Sequence, residues 1–214
     1  MTEKINILYE DNHLLVAVKP CGIPTQPAPH GGESLEERLK EHIRIRDQKK
    51  GNVFLHAIHR LDKQASGIVI FAKSQKALSR LQESIRQKAC KKIYRATVAG
   101  TLSQKEATLI HFLVHADHKA IVAPKHPDTK KCILHYKVLE EKEGTTLLEI
   151  HLETGRYHQI RCQLAAIGHP IVGDVKYGST RTFPQGGIAL QHFHMEIEHP
   201  TKKELLILQL PETT

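Results

Sequence analysis

The chain has 214 residues, 40% of them hydrophobic and 25% charged, enough to bury a core without help from metals or disulfides. Thirty-one Lys and Arg oppose 23 Asp and Glu, a net charge of +8, and such a basic balance favours polyanionic partners such as nucleic acid. Cys21, Cys90, Cys132 and Cys162 form no CxxC, which argues against zinc-finger or thioredoxin chemistry, and no run approaches the ~20 apolar residues of a membrane span.

In chain order, INILYEDNHLLVAVKP reads as two short strands around an Asp-Asn turn, with no signal-peptide pattern, so the cytoplasm is the expected compartment. PCGIPTQPAPHGG is a Pro/Gly loop. Ser34 with Glu37 three residues on is a capping box opening a helix through SLEERLKEHIRIR. GIVIFAK is a β-branched apolar run that fits a strand buried on both faces. Ser74 then caps an amphipathic helix on which Leu78, Leu81 and Ile85 recur. KKIYRATVAG alternates as a half-buried strand, and HADHKAIVAPKHPDTKK reads as a basic, His-rich loop or projecting hairpin.

CILHYKVLEEKEGTTLLEIHLET is a hairpin turning at Glu143-Gly144. RYHQIRCQLAAIG reads as a helix closed by Gly168. FHMEIEHP and ELLILQL end the chain as strands. With no repeats, no linker and no βαβ alternation, the expected fold is a single α+β domain over residues 1–214. Its central sheet is mixed and largely antiparallel, flanked by helices and loops.

Two segments hold residues suited to chemistry. In HRLDKQASG, Asp62 lies between Arg60 and Lys63. Nearby cations favour the charged carboxylate, and a charged carboxylate can attack an electrophilic carbon. The plainer alternative is a solvated loop Asp. In TGRYHQIRCQLAAIGHPIVGDVKYG, Arg156, His158, Gln159 and Arg161 suit a phosphate, a carboxylate or a base edge; a solvated polar helix face explains them equally well on composition.

These two segments, with LLVAVKPCGIPTQP and KKIYRATVAG in the same order, resemble the RluA-type RNA pseudouridine synthase family. Its patterns are HRLDxxTSGLLLxAK and TGRxHQIRxHLxxxGHPIxGDxxYG, and the resemblance runs from about Ile7 to Leu210. It implies an isomerase that turns chosen uridines of structured ribosomal or transfer RNA into pseudouridine, without cofactor or metal, as a monomer.

By the same resemblance, Asp62 is the catalytic carboxylate, acting as a nucleophile or as a base at the ribose. Tyr94 packs on the uracil and helps remove the proton from carbon five. Arg161 pairs with Asp62 and keeps it oriented and ionised. Arg60 fills the space left by an extruded base. His59, Arg156, His158, Gln159 and Leu190 complete the implied substrate contacts. Ala65, Gln163 and Gln191 depart from the family pattern, which touches positioning and substrate choice.

The matching segment begins almost at once, so RNA contacts are expected from Lys49, Lys50, Arg80, Arg86, Lys88, Lys119, Lys125, Lys130 and Lys131. Two rivals remain. Sixteen His residues invite a zinc hydrolase, but they are scattered and no HExxH occurs. The other is an RNA-binding protein of the same fold that has lost catalysis.

Overall fold

The computed structural model describes residues 5–29 and 32–212. His30 and Gly31, inside the expected Pro/Gly loop, lie outside the described residues. The chain builds two compact units. One takes the chain up to Lys91 and resumes at His192; the other spans Lys92–Gln191. No helix among the described residues is long and apolar enough to cross a membrane.

The first unit opens with β1 (Asn6–Glu10) and β2 (Leu14–Lys19), paired antiparallel. The Asp11 carboxylate accepts the backbone N–H groups of His13 and Leu14, at 2.8 and 2.9 Å, and so closes the expected Asp-Asn turn. Helix α1 (Leu35–Arg46) starts at the capping box read from the sequence. Ser34 Oγ accepts the Glu37 N–H, and the Glu37 carboxylate accepts the Ser34 N–H.

The short β3 (His56–Ala57) pairs with β4 (Ser66–Ala72), which also pairs with β2. Ile68, Val69, Ile70 and Phe71 are fully buried. Successive side chains of a strand point to opposite faces, so β4 is covered on both sides, as its continuous apolar run implies. At ~1.5–3 kcal/mol per large side chain, this strand is a main source of stability. Ala77 and Leu81 of α2 (Gln75–Arg86) pack into the same core, with Leu78 and Ile85 at its edge.

The second unit is an antiparallel sheet ordered β5 (Cys90–Ala99), β9 (Thr145–Leu152), β8 (Lys130–Lys142), β6 (Glu106–Ala116), β7 (Lys119–Val122). Two residues, Glu143 and Gly144, join β8 to β9, both at positive φ as a tight hairpin turn requires. Asp117 and His118 do the same between β6 and β7, so the His-rich stretch is a hairpin. β6 has no counterpart in the sequence reading; its exposed Ile110 blurs the alternation that marks a strand. Helix α3 (Gln159–Ala166) packs on β6 and β7, and Gly168, at φ 84°, follows its last turn.

α3 is shorter than RYHQIRCQLAAIG suggests. Arg156 and Tyr157 lie before it, and His158 stands at its N-cap in the left-handed region, φ 52°. The reason is local. Gln159 Oε1 accepts the Arg156 N–H (3.1 Å) and the Thr154 hydroxyl (2.8 Å), folding residues 154–158 back against the first turn. Two strands close the chain, β10 (Leu190–Glu198) and β11 (Leu205–Gln209), paired antiparallel.

Candidate active site

Asp62 lies on the loop between β3 and β4, half-buried, with its backbone fixed on both sides. On the N-terminal side, the buried Thr25 hydroxyl accepts the Leu61 N–H at 3.1 Å and donates to the Leu61 carbonyl at 3.2 Å. On the C-terminal side, the Lys63 carbonyl accepts the Gly22 N–H at 2.8 Å and the Lys19 ammonium at 3.1 Å. A turn bond from the Ala65 N–H to the Asp62 carbonyl, 3.1 Å, finishes the loop.

Lys19 is the cation that the sequence reading passed over. It is fully buried, and its ammonium also donates to the carbonyls of Pro20 (2.8 Å) and Ile23 (2.9 Å), so three donors meet three acceptors. Burial lowers its pKa to about 8, opposed by the negative charges of Cys21 and Asp62. Lys63 and Arg60, the cations next to Asp62 in sequence, are both exposed. Ala65, where the family pattern has Thr, is buried at 2% exposure.

Behind the loop, the His59 ring stands edge-on to His192, centroids 5.3 Å apart. His59 Nε2 accepts the Ile70 N–H at 3.3 Å, and His192 Nδ1 donates to the Ile68 carbonyl at 2.7 Å. Gly67, at φ 118°, lies so close to the His192 backbone that a Cβ there would come within 2.4 Å of its carbonyl oxygen. His59 therefore fastens the Asp62 loop to β4.

The second group of expected residues surrounds the start of α3. Arg161 forms a buried two-pronged ion pair with Asp174: Nε to Oδ2 at 2.6 Å and Nη2 to Oδ1 at 2.8 Å, the residues 4% and 1% exposed. Its Nη1 lies 2.8 Å from His158 Nε2, and His158 Nδ1 lies 3.0 Å from the Tyr177 hydroxyl. A guanidinium can only donate, so Nε2 accepts and the proton sits on Nδ1, which donates to Tyr177. Tyr177 also accepts the Ala120 N–H and donates to the Ala120 carbonyl. Burial pushes its hydroxyl well above the usual tyrosine range.

The other expected residues divide by environment. Gln159 is buried; its Oε1 accepts from Thr154 and Arg156, and its Nε2 donates to the Ile133 carbonyl. Arg156 is exposed. Tyr94 is buried on β5, opposite Ile150 of β9, and Leu190 is buried at the start of β10. Gln163, at a family His position, is fully buried, its NH2 3.1 Å from both the Leu109 carbonyl and His111 Nδ1. Of the residues missed, Asp174 and Tyr177 sit inside the quoted GDVKYG, and Lys19 inside AVKP. Nothing in spacing says which partner each will meet.

Among the described residues, no three or more His, Cys, Asp or Glu side chains converge to hold a metal ion.

Comparison with known proteins places the chain in a family. The family model described as RNA pseudouridylate synthase matches residues 13–166. An uncharacterized RNA pseudouridine synthase, YhcT of Bacillus subtilis (strain 168), is 33% identical over 97% of this chain and 68% of its own length. Ribosomal large subunit pseudouridine synthase C of Vibrio parahaemolyticus is 34% identical over 96% of this chain and 65% of its own. The solved structure of human RNA pseudouridylate synthase domain containing 1 superposes with a TM-score of 0.80 at 22% identity, covering 99% of this chain and 85% of that one, which speaks for the fold. The chain belongs to the RNA pseudouridylate synthase family, in its RluA-type branch, and is an isomerase of RNA uridines.

Proposed function

We propose that this chain isomerises specific uridines in structured ribosomal or transfer RNA, with Asp62 as the essential carboxylate. The observation that carries the assignment is the clamping of Leu61 and Lys63 on either side of Asp62, which fixes the backbone that carries one half-buried carboxylate. Placement of this kind removes the entropy of finding the reactive geometry. The bond from ribose carbon one to the base nitrogen breaks, the uracil turns, carbon five bonds to the ribose, and the carbon-five proton leaves to solvent. The freed ring nitrogen takes up a proton in its place, so nothing is gained or lost overall.

Asp62 works at the ribose carbon. Tyr94 packs on the uracil and assists removal of the carbon-five proton. Arg161 supplies positive charge. The target nucleotide leaves the stack, because its ribose and base are otherwise covered, and the exposed Arg60 takes the vacated place.

The test uses unmodified ribosomal and transfer RNA tritiated at carbon five of uridine. Release of tritium by the native protein, and none by Asp62→Asn with RNA affinity retained, is the expected result. Equal release by both proteins removes Asp62 from the chemistry. No release by the native protein from either RNA, with binding intact, favours the catalytically inactive RNA binder.

A further inference from the structure

Tyr157 is the one exposed tyrosine of the five, at 43% exposure; Tyr94, Tyr136 and Tyr177 are buried and Tyr9 is half-buried. Its ring is nevertheless held in place. It stacks on His158 with centroids 3.9 Å apart and planes 16° from parallel. His158 is in turn anchored by Tyr177 and Arg161. The Tyr157 hydroxyl donates to the His118 carbonyl at 3.2 Å, and Lys176 donates to the same oxygen at 3.0 Å. The exposed His115 of β6 meets Tyr157 at 70°, centroids 4.7 Å apart. Two aromatic rings, Tyr157 from before α3 and His115 of β6, thus form a corner open to solvent against the β6–β7 hairpin.

Lys176 shares the His118 carbonyl with Tyr157, and the chain next to His115 is rich in lysine. Between His111 and Ile133 the chain carries Lys119, Lys125, Lys130 and Lys131 against Asp117 and Asp128, and Asp128 is engaged by His126 at 3.2 Å. Lys119 lies 4.8 Å from the Tyr177 ring centre, one residue beyond the turn. An exposed aromatic ring, already ordered and bordered by lysines, suits a flat anionic ligand. An unpaired nucleotide has both properties, since every base offers a π-face and every link a phosphate.

We propose that Tyr157 and His115 form a stacking corner for an unpaired base of the substrate RNA, with the nearby lysines taking the adjoining phosphates. This rests on the reading that the chain acts on RNA, but it concerns binding and not the isomerisation step.

The test measures affinity for a short fluorescent oligouridylate, single-stranded or annealed to oligoadenylate, using native protein and the variants Tyr157→Ala, Tyr157→Leu and Tyr157→Phe. The expected result is a loss of roughly tenfold in single-strand affinity for the Ala and Leu variants, near-native binding by Phe, and little change on the duplex. On tritiated RNA, KM rises for Ala and Leu while kcat stays within about twofold. Native single-strand affinity in Tyr157→Ala overturns the proposal, and so does an equal loss on single strand and duplex. The binding arm also separates the two readings. If the native protein releases no tritium yet Tyr157→Ala still loses single-strand affinity, the catalytic reading fails and the stacking corner stands.

Discussion

Lys19 combines one cost with two gains. Its burial disfavours the charge, and the nearby Cys21 and Asp62 favour it; the balance leaves a pKa of about 8. The folded value lies below the unfolded one of 10.5. Between pH 8 and 10.5 the unfolded chain therefore binds more protons, and this group makes stability rise with pH. Urea titrations across that window should show the rise, on the order of 3 kcal/mol, in native protein and a flatter profile in Lys19→Met. The Met variant should also lose turnover, because the Lys63 carbonyl beside Asp62 loses its ammonium donor. Gly67 makes the complementary case. Any side chain there meets the His192 backbone at 2.4 to 2.5 Å, in a backbone region that L-residues disfavour. Gly67→Ala should cost about 3 kcal/mol or more in urea unfolding, since the obstacle is backbone in a packed sheet. A cost below 1 kcal/mol would mean that the strand moves aside freely.

At the level of elements, α1 is specified locally and used at a distance. The Ser34–Glu37 box sets its first turn, and Glu36, buried at 3% exposure, accepts the Ala57 N–H of β3 at 3.1 Å and the Lys40 ammonium at 2.7 Å. The helix start thereby holds the strand that leads into the Asp62 loop. Ser34→Ala should destabilise the protein by about 1–2 kcal/mol, read from the urea midpoint at unchanged slope. A change in slope would point instead to a change in the extent of unfolding. α3 shows the opposite balance. Its His158 cap makes no side-chain capping bond and takes a left-handed backbone, so the first turn depends on Gln159 and on the Arg161–Asp174 pair. That dependence is why the sequence pattern placed its start three residues early.

Across the first unit, Glu10 ties three elements together. Arg46 at the end of α1 grips its carboxylate with two bonds, 2.6 and 2.8 Å, and Lys73 after β4 adds a third at 2.7 Å. The Arg46 bonds, opposed by burial and helped by Lys73, hold its pKa at about 2. The folded value is below the unfolded 4.5, so the stabilisation is complete above pH 4.5 and is lost as pH falls toward 2. Glu10→Gln should be less stable at neutral pH by about 2 kcal/mol and should lose less on acidification; parallel acid-unfolding curves for the two proteins would contradict this.

Most elements were legible in the sequence because their causes are short-range. Alternation marks β5, a continuous β-branched run marks β4, a capping box fixes α1, and Glu143-Gly144 fixes the β8–β9 turn. The motif order HRLD, KxYxA and HQIR likewise determined the family and singled out Asp62, Tyr94 and Arg161. Tertiary structure alone decided that Lys19 locks the Lys63 carbonyl, that Thr25 grips Leu61 across 36 residues, that Arg161 is paired with Asp174, and that Gln163 ties α3 to Leu109 and His111 of β6. The physical reason is range. Helix caps, turns and alternation depend on neighbours a few residues apart, which a sequence displays. A buried polar group must find its partner wherever the chain has folded one beside it, and only the folded chain identifies that partner.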